Sequence, residues 1–462
     1  MTEGPVTAVE ARSDEAPGGI WSPTRRPLSA GLVLTITLVA FESLAVATVM
    51  PAVQQDLGGL SLYGWVFSAY MLGSIVGIVL AGSLADRRGP AFPYAVGLAL
   101  FSVGLVCGGL APSMLVLVLA RFLQGAGGGA IPAVAYVVIG RRYPEASRPR
   151  MFAVLSTAWV VPGLAGPALS GAVAESIGWR WVFLGLLPLV AVAGALTFPA
   201  MRSAGLGSAA GDGAHEDRLA LAVGVAVGAG LLLAGFTADP ALLAVVLVPV
   251  GATLGVRCLS RLVPAGTLRA RPGLPAAILS RGLLAFAFFG AEAYLPLTFT
   301  SVREATITSA GLVLTASALS WTAGAWISER RVEVVGAGRL VCVSFVLVTS
   351  GIVALATSLW AVVPLAVGVM GWTIGGLGMG LGYSPLSLLV LREAEAGREG
   401  AASSSLHLAD VLGVALGTGT GGAAVAAGER LGWSAPVGLG IAFVTTGVVA
   451  ALGIALSRRL PA

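Results

Sequence analysis

Gly125-Ala126-Gly127-Gly128-Gly129-Ala130-Ile131-Pro132 and Gly378-Met379-Gly380-Leu381-Gly382-Tyr383-Ser384-Pro385 are two versions of one pattern, and their reading decides the fold. In both, a glycine falls five residues before a proline. Both stretches lie inside long apolar runs, where glycine lets helix backbones approach and proline bends the chain. The match continues outward. Small-residue patches, Gly166-Pro167-Ala168-Leu169-Ser170-Gly171 and Gly417-Thr418-Gly419-Thr420-Gly421-Gly422, end 39 and 37 residues after the respective prolines. Two similar halves related by an axis along the membrane normal suit alternating access to a central site. The glycine run at 125–129 is no phosphate cradle, because it lies within a spanning helix and not at a strand–helix turn.

The rest of the chain agrees. Of 462 residues, 56% are hydrophobic and 11% charged, and the mean hydropathy is +0.92. A soluble protein of this length needs far more charge to cover its surface. Apolar runs of about 20 residues, each long enough to cross a hydrocarbon core, recur throughout. In lipid they must be helices, since every backbone polar group needs an internal partner. Fourteen spans are expected, near 29–50, 65–85, 92–111, 113–139, 151–174, 180–200, 219–236, 240–257, 276–299, 306–327, 338–357, 360–391, 403–427 and 432–457. The fold class is thus an all-α polytopic membrane protein. It reads as a cytoplasmic tail (1–27, disordered), an N-terminal six-helix bundle (28–201), a linker with two additional helices (202–272), a C-terminal six-helix bundle (273–458) and a short tail (459–462). The acidic start excludes a signal peptide.

The formal charge of +5 comes from 27 basic residues, all arginine. They do not point to nucleic acid, because most sit in short loops between apolar runs. Pairs such as Arg87–Arg88, Arg141–Arg142, Arg330–Arg331 and Arg458–Arg459 fall on one side, and only Arg180, Arg303 and Arg430 on the other. The positive-inside rule then places both termini in the cytoplasm and the protein in the cell (inner) membrane. Spans seven and eight are short, joined by Thr237-Ala238-Asp239-Pro240 and flanked by basic loops. An even number of crossings separates those loops: two, or none if the pair is re-entrant; two are expected. Cys107, Cys258 and Cys342 are far apart, without metal or disulfide spacing. No metal cluster, nucleotide loop or nucleophile constellation points to an enzyme.

Four motifs carry a resemblance. The loop after span two reads Gly82-Ser83-Leu84-Ala85-Asp86-Arg87-Arg88-Gly89. Gly82 permits close helix approach, Gly89 a tight turn, and Asp86 sets a carboxylate at the membrane edge. Span four contains Arg121-Phe122-Leu123-Gln124-Gly125, an arginine inside the membrane that needs a cavity or a partner. Span five contains Gly163-Leu164-Ala165-Gly166-Pro167-Ala168-Leu169-Ser170-Gly171. Span one places Glu42 nine residues before Pro51. Trp65, Tyr70 and Gly178-Trp179-Arg180-Trp181-Val182-Phe183 add to the pattern. Together these resemble the major facilitator superfamily, and within it the fourteen-helix drug:proton antiporters. The departures are Pro90-Ala91 in place of a basic pair, Pro162 and Ser170 in place of glycines, and glutamate at position 42 in place of aspartate.

The resemblance implies a gating role for Gly82, Asp86, Arg87 and Gly89, with the aspartate latching the two halves. It implies proton coupling at Glu42 and Arg121, and export marked by Gly163, Gly166, Pro167 and Gly171. From position alone, Glu292 (span nine) and Asp410 (span thirteen) are further coupling candidates; His407 lies one turn from Asp410 and is able to pair with it. Tyr70, Gln124, Trp159, Tyr294, Trp321 and His407 are candidates for lining a cavity. Desolvation favours a neutral carboxyl and a nearby cation the charged form. A carboxylate between these influences can bind a proton on one side and release it on the other. The expected activity is proton-driven export of small amphipathic compounds by a single chain, with no cofactor beyond the proton gradient. Uptake symport, or a receptor or assembly protein on a transporter scaffold, remain open.

Overall fold

A computed structural model describes residues 19–202, 213–239, 241–395 and 398–461. Among the described residues, fourteen helices are long and apolar enough to cross a membrane. They are α1 (Arg26–Leu57), α2 (Leu60–Ala85), α3 (Ala91–Gly109), α4 (Met114–Arg142), α5 (Arg150–Ser176), α6 (Arg180–Arg202), α7 (Asp217–Thr237), α8 (Ala244–Leu262), α9 (Leu274–Ser301), α10 (Ile307–Val335), α11 (Ala337–Leu359), α12 (Leu365–Glu393), α13 (Glu399–Arg430) and α14 (Ala435–Ser457). The two linker segments are both full-length helices. Pro240 and residues 203–212, which belong to the turn and loop beside them, lie outside the described residues.

The two halves use one packing scheme. In the N-terminal half α2 packs on α4, α3 on α4, and α1 on α5 and α6; in the C-terminal half α10 packs on α12, α11 on α12, and α9 on α13 and α14. The halves meet reciprocally, α5 against α10 and α13 against α2. Glycines make these contacts possible. A Cβ at Gly125 would collide with the Tyr70 carbonyl in α2, and one at Gly380 with the Trp321 carbonyl in α10. Three spanning segments are interrupted, each nearer one end than its middle: α5 at Ala158-Trp159, α6 at Gly185-Leu186 and α9 at Ala293-Tyr294.

α7 lies along the seam between the halves. Its Ala222, Val225, Ala226 and Ala229 pack with Leu72 and Ile75 of α2 and with Val411, Leu412 and Ala415 of α13. Trp65 Nε1 donates to Thr237 Oγ1 at 3.2 Å, and Arg430 Nη1 donates to the Ala238 carbonyl at 2.6 Å. α8 packs on α7 and is otherwise exposed, with only 6% of its apolar window buried.

Two expectations are corrected. The segment just before α1 is not loose: Ile20 is buried, and its carbonyl accepts from Ser29 Oγ at 2.5 Å; residues 1–18 lie outside the described residues. The C-terminal end is tied as well, since Arg459 Nη1 donates to the carbonyls of Arg269 and Ala270 at 3.2 and 2.9 Å. Gly82 makes no close helix approach, because a Cβ there would meet open space. Gly89 does serve a turn, at φ 74°, a backbone region that suits glycine.

Candidate transport site

The N-terminal half buries a charged cluster. Glu42 projects from α1 and Arg121 from α4, and both are almost wholly buried. Arg121 Nη1 donates to Glu42 Oε1 and, at 2.7 Å, to Gln124 Oε1 one turn further along α4. Arg121 Nε donates to the Val66 carbonyl at 3.3 Å, and the guanidinium lies 4.2 Å from the centroid of the Tyr70 ring. A carboxylate, an amide, a carbonyl and a π face thus surround one cation, the arrangement an intramembrane arginine needs. Among the described residues, Glu42 Oε2 and Gln124 Nε2 are buried without a hydrogen-bond partner. The unmatched acceptor gives a proton a place to bind.

The C-terminal half holds a second pair. Arg281 of α9 donates from Nε to Asp410 Oδ1 of α13 at 2.7 Å and from Nη1 to the Tyr383 carbonyl at 2.8 Å. Tyr383 Oη donates to Asp410 Oδ2 at 3.0 Å, and the guanidinium lies over the Tyr383 ring. Asp410 is therefore held by arginine and tyrosine; His407, the partner considered from sequence, lies one turn away with an accessible side chain and no hydrogen bond to Asp410 among the described residues. Arg281 and Tyr383 were missed by the sequence reading. The signal for Arg281 was the one used for Arg121, an arginine inside an apolar run.

From Tyr383 a ladder of rings leads along the C-terminal half. Tyr383 and Trp321 have ring centroids 5.3 Å apart, Trp321 and Phe288 5.7 Å, and Phe288 and Trp372 4.8 Å with the rings stacked. The ladder ends where Trp372 Nε1 donates to Glu292 Oε2 at 3.2 Å.

Beyond Glu292 the halves close on each other. Tyr63 Oη donates to the Ala293 carbonyl at 3.3 Å, the rings of Tyr63 and Tyr294 lie 5.6 Å apart, and Tyr294 Oη donates to the Thr418 carbonyl at 2.5 Å. Gly64 of α2 and Gly422 of α13 touch backbone to backbone. Glu175 at the end of α5 accepts from the Thr308 amide at 3.0 Å and from Thr308 Oγ1 at 2.6 Å, at the first turn of α10. Tyr294 is thus part of a closure and not of a cavity wall. Trp159 is half-exposed where α5 breaks.

The other motif residues hold helices together. Gly171 lets α5 meet the Thr308 backbone, and the Pro167 carbonyl packs against Gly311 of α10. Gly163 and Gly166 make ordinary contacts with Ala318 and Phe41. Gly82 to Arg88, read from sequence as a loop, continue the helix of α2, and Arg88 at its end lies over the Phe92 ring, 4.8 Å from its centroid; the Asp86 side chain lies outside the described residues. Trp179 and Arg180 both donate to Asp56 Oδ2, at 3.1 and 2.6 Å, joining the end of α1 to the start of α6.

The family model described as Major Facilitator Superfamily matches residues 32–418. A probable multidrug-efflux transporter of Mycobacterium tuberculosis is 28% identical over 94% of this chain and 96% of that protein. The multidrug transporter protein MdtP of Bacillus subtilis is 34% identical over 37% of this chain and 31% of its own length. Among solved structures, a bacterial homologue of the human lysosomal transporter Spinster superposes with a TM-score of 0.63 at 18% identity, covering 95% of this chain and 98% of that one. A POT family transporter in complex with a thioalcohol-conjugated peptide superposes with a TM-score of 0.69 at 14% identity, covering 93% of this chain and 96% of that one.

Proposed function

Because the chain belongs to the Major Facilitator Superfamily, and is thus a multi-pass membrane transporter and not an enzyme, we propose that it exports small amphipathic compounds in exchange for protons by alternating access. The observation that carries this reading is the buried Glu42–Arg121–Gln124 cluster, in which one carboxylate oxygen faces the cation and the other has no partner. Protonation of Glu42 removes its charge and leaves Arg121 only neutral acceptors, the Glu42 carbonyl oxygen, Gln124 Oε1 and the Val66 carbonyl. A proton at this one carboxylate therefore alters the packing between α1 and α4. The closure at Tyr63, Tyr294, Gly64 and Gly422 is the natural element for such a change to open and shut.

The multidrug-efflux names of the relatives support export, as does the resemblance of the Gly166-Pro167 core to the antiporter motif. The arginine-rich loops support a cell-membrane location with both termini cytoplasmic. The protein acts as a single chain, and no cofactor other than the proton gradient enters this reading. Its direction is tested in inside-out membrane vesicles energised to an acidic interior. Export predicts accumulation of a fluorescent amphiphile inside the vesicles, collapsed by a protonophore. Accumulation only when the gradient is reversed would establish uptake instead.

A further inference from the structure

A groove of about 460 Å³ runs between α3 and α6 on the flank of the N-terminal half. Its size falls in the range of roughly 300–1,000 Å³ that holds small ligands. Ala95 and Ala99 of α3 and Ala191, Gly194 and Ala195 of α6 line it, so both walls carry a methyl group or less. Ala99, Ala191, Ala195 and Pro199 are exposed, and the groove opens on the outer surface. In the C-terminal half the matching seam is filled more deeply: the Phe345 ring of α11 packs against Gly453 of α14, where α3 sets the smaller Leu98 against Gly194.

The walls are apolar and one end is cationic. Tyr94 Oη shares a hydrogen bond with Thr35 Oγ1 of α1 at 2.8 Å, and Ser102 Oγ donates to the Leu98 carbonyl at 2.8 Å, so the polar side chains of the lining are already satisfied. Both walls then end in the same way. Phe92 stands three residues before Ala95 on α3, and Arg88 lies over its ring at 4.8 Å; Phe198 stands three residues after Ala195 on α6, and Arg202 lies over its ring at 5.6 Å. α3 and α6 are antiparallel, so the two arginines share one end of the groove. Arg142 of α4 donates to the Ala200 carbonyl there at 3.2 Å and adds a third cation. Neither Arg88 nor Arg202 pairs with a carboxylate among the described residues. From Phe92 to Ser102 α3 rises about 15 Å, half of a hydrocarbon core of about 30 Å. The groove therefore serves one leaflet.

We propose that this groove is a binding site for an anionic phospholipid, with an acyl chain between α3 and α6 and the headgroup phosphate held by Arg88 and Arg202. The chain matches walls that offer no unsatisfied side-chain group, and guanidinium forks suit the oxygens of a phosphate. Free phosphate has no use for the apolar part. A spanning helix of a partner protein, about 10–12 Å across with its side chains, needs a seam through both leaflets, and this one ends at Ser102. The lipid lies between the supports of the buried ion pair: α6 packs on α1, which carries Glu42, and α3 on α4, which carries Arg121. The inference concerns binding and holds whatever the chain transports.

The test is lipid retention by delipidated protein in detergent, incubated with equal amounts of phosphatidylglycerol and phosphatidylcholine of identical acyl chains, with bound lipid counted by native mass spectrometry. Wild type is expected to keep one phosphatidylglycerol, in roughly fivefold or greater excess over phosphatidylcholine. Arg88→Gln and Arg202→Gln are each expected to cut that preference severalfold, and the double variant to abolish it. The Lys variants at both positions, which keep the charge, are expected to retain most of it. Ala195→Phe fills the groove and leaves the arginines in place; because Ala195 is exposed, this variant is expected to fold normally and still lose most of the bound lipid. All forms are checked for monodispersity by gel filtration. Equal retention of the two lipids by wild type, a preference that survives loss of both arginines, undiminished binding by Ala195→Phe, or a second copy of the chain in place of the lipid would overturn the proposal.

Discussion

Glu42 and Arg121 lie 79 residues apart in sequence and form an ion pair whose side chains are only 1% and 3% exposed. Burying two charges is costly, and removing one leaves the other uncompensated, at about 3–5 kcal/mol. Arg121→Ala is therefore expected to lower stability by about that amount. Glu42→Gln keeps an acceptor against the guanidinium and is expected to cost less. Restoring balance with Glu42→Gln plus Arg121→Gln should recover part of the loss. Thermal unfolding of the purified variants, read as a double-mutant cycle, measures the coupling.

Asp410 offers an independent comparison. It accepts from Arg281 and from Tyr383, and its pair shares no partner with the N-terminal one. Tyr383→Phe keeps the ring over Arg281 and removes one hydrogen bond to a charged group, an expected loss of about 1.5–3 kcal/mol. Glu42→Gln and Asp410→Asn should add to within about 0.5 kcal/mol. A larger departure in the unfolding data would mean that the two clusters are linked in the folded state.

The closure of the halves makes a separate prediction. A side chain at Gly64 would meet Tyr294 Oη, the Gly422 backbone and the Thr418 carbonyl, and of these only the tyrosine side chain can give way. Gly64→Val is expected to hold this end apart. In a background lacking Cys107, Cys258 and Cys342, a cysteine at Ser68, which is fully buried, should react severalfold faster with a membrane-impermeant maleimide. Unchanged labelling would show that Gly64 is not part of the closure.

The seam helix can be tested through its anchor. Arg430 donates to the Ala238 and Phe236 carbonyls at the end of α7. Arg430→Ala leaves that end held mainly by the Trp65–Thr237 bond, a neutral bond contributing about 0.5–1.5 kcal/mol. Limited proteolysis should then cut the turn at 238–243 several times faster, with the bundle cores still protected.

Most of the fold was legible in the sequence because lipid leaves a chain few options. Runs of apolar residues set the spans, and the paired glycine–proline stretches announced two halves. Glu42 and Arg121 were legible for a related reason: a charge inside an apolar run must serve something. Arg281 carried the same signal in α9 but stood among stronger motifs elsewhere. Other relationships had no local signal. Tyr294 reaches a carbonyl 124 residues away, and Trp372 reaches a carboxylate 80 residues away; both depend on how whole helices pack.

The central claim is proton exchange at Glu42, and internal pH in proteoliposomes tests it most directly. Addition of a cationic amphiphile to vesicles containing wild-type protein is expected to move protons in the direction opposite to the substrate. In Glu42→Gln vesicles with equal incorporation, substrate-triggered proton movement is expected to vanish. Proton movement that persists in Glu42→Gln, or no movement from wild type across a broad panel of amphiphiles, would contradict the account.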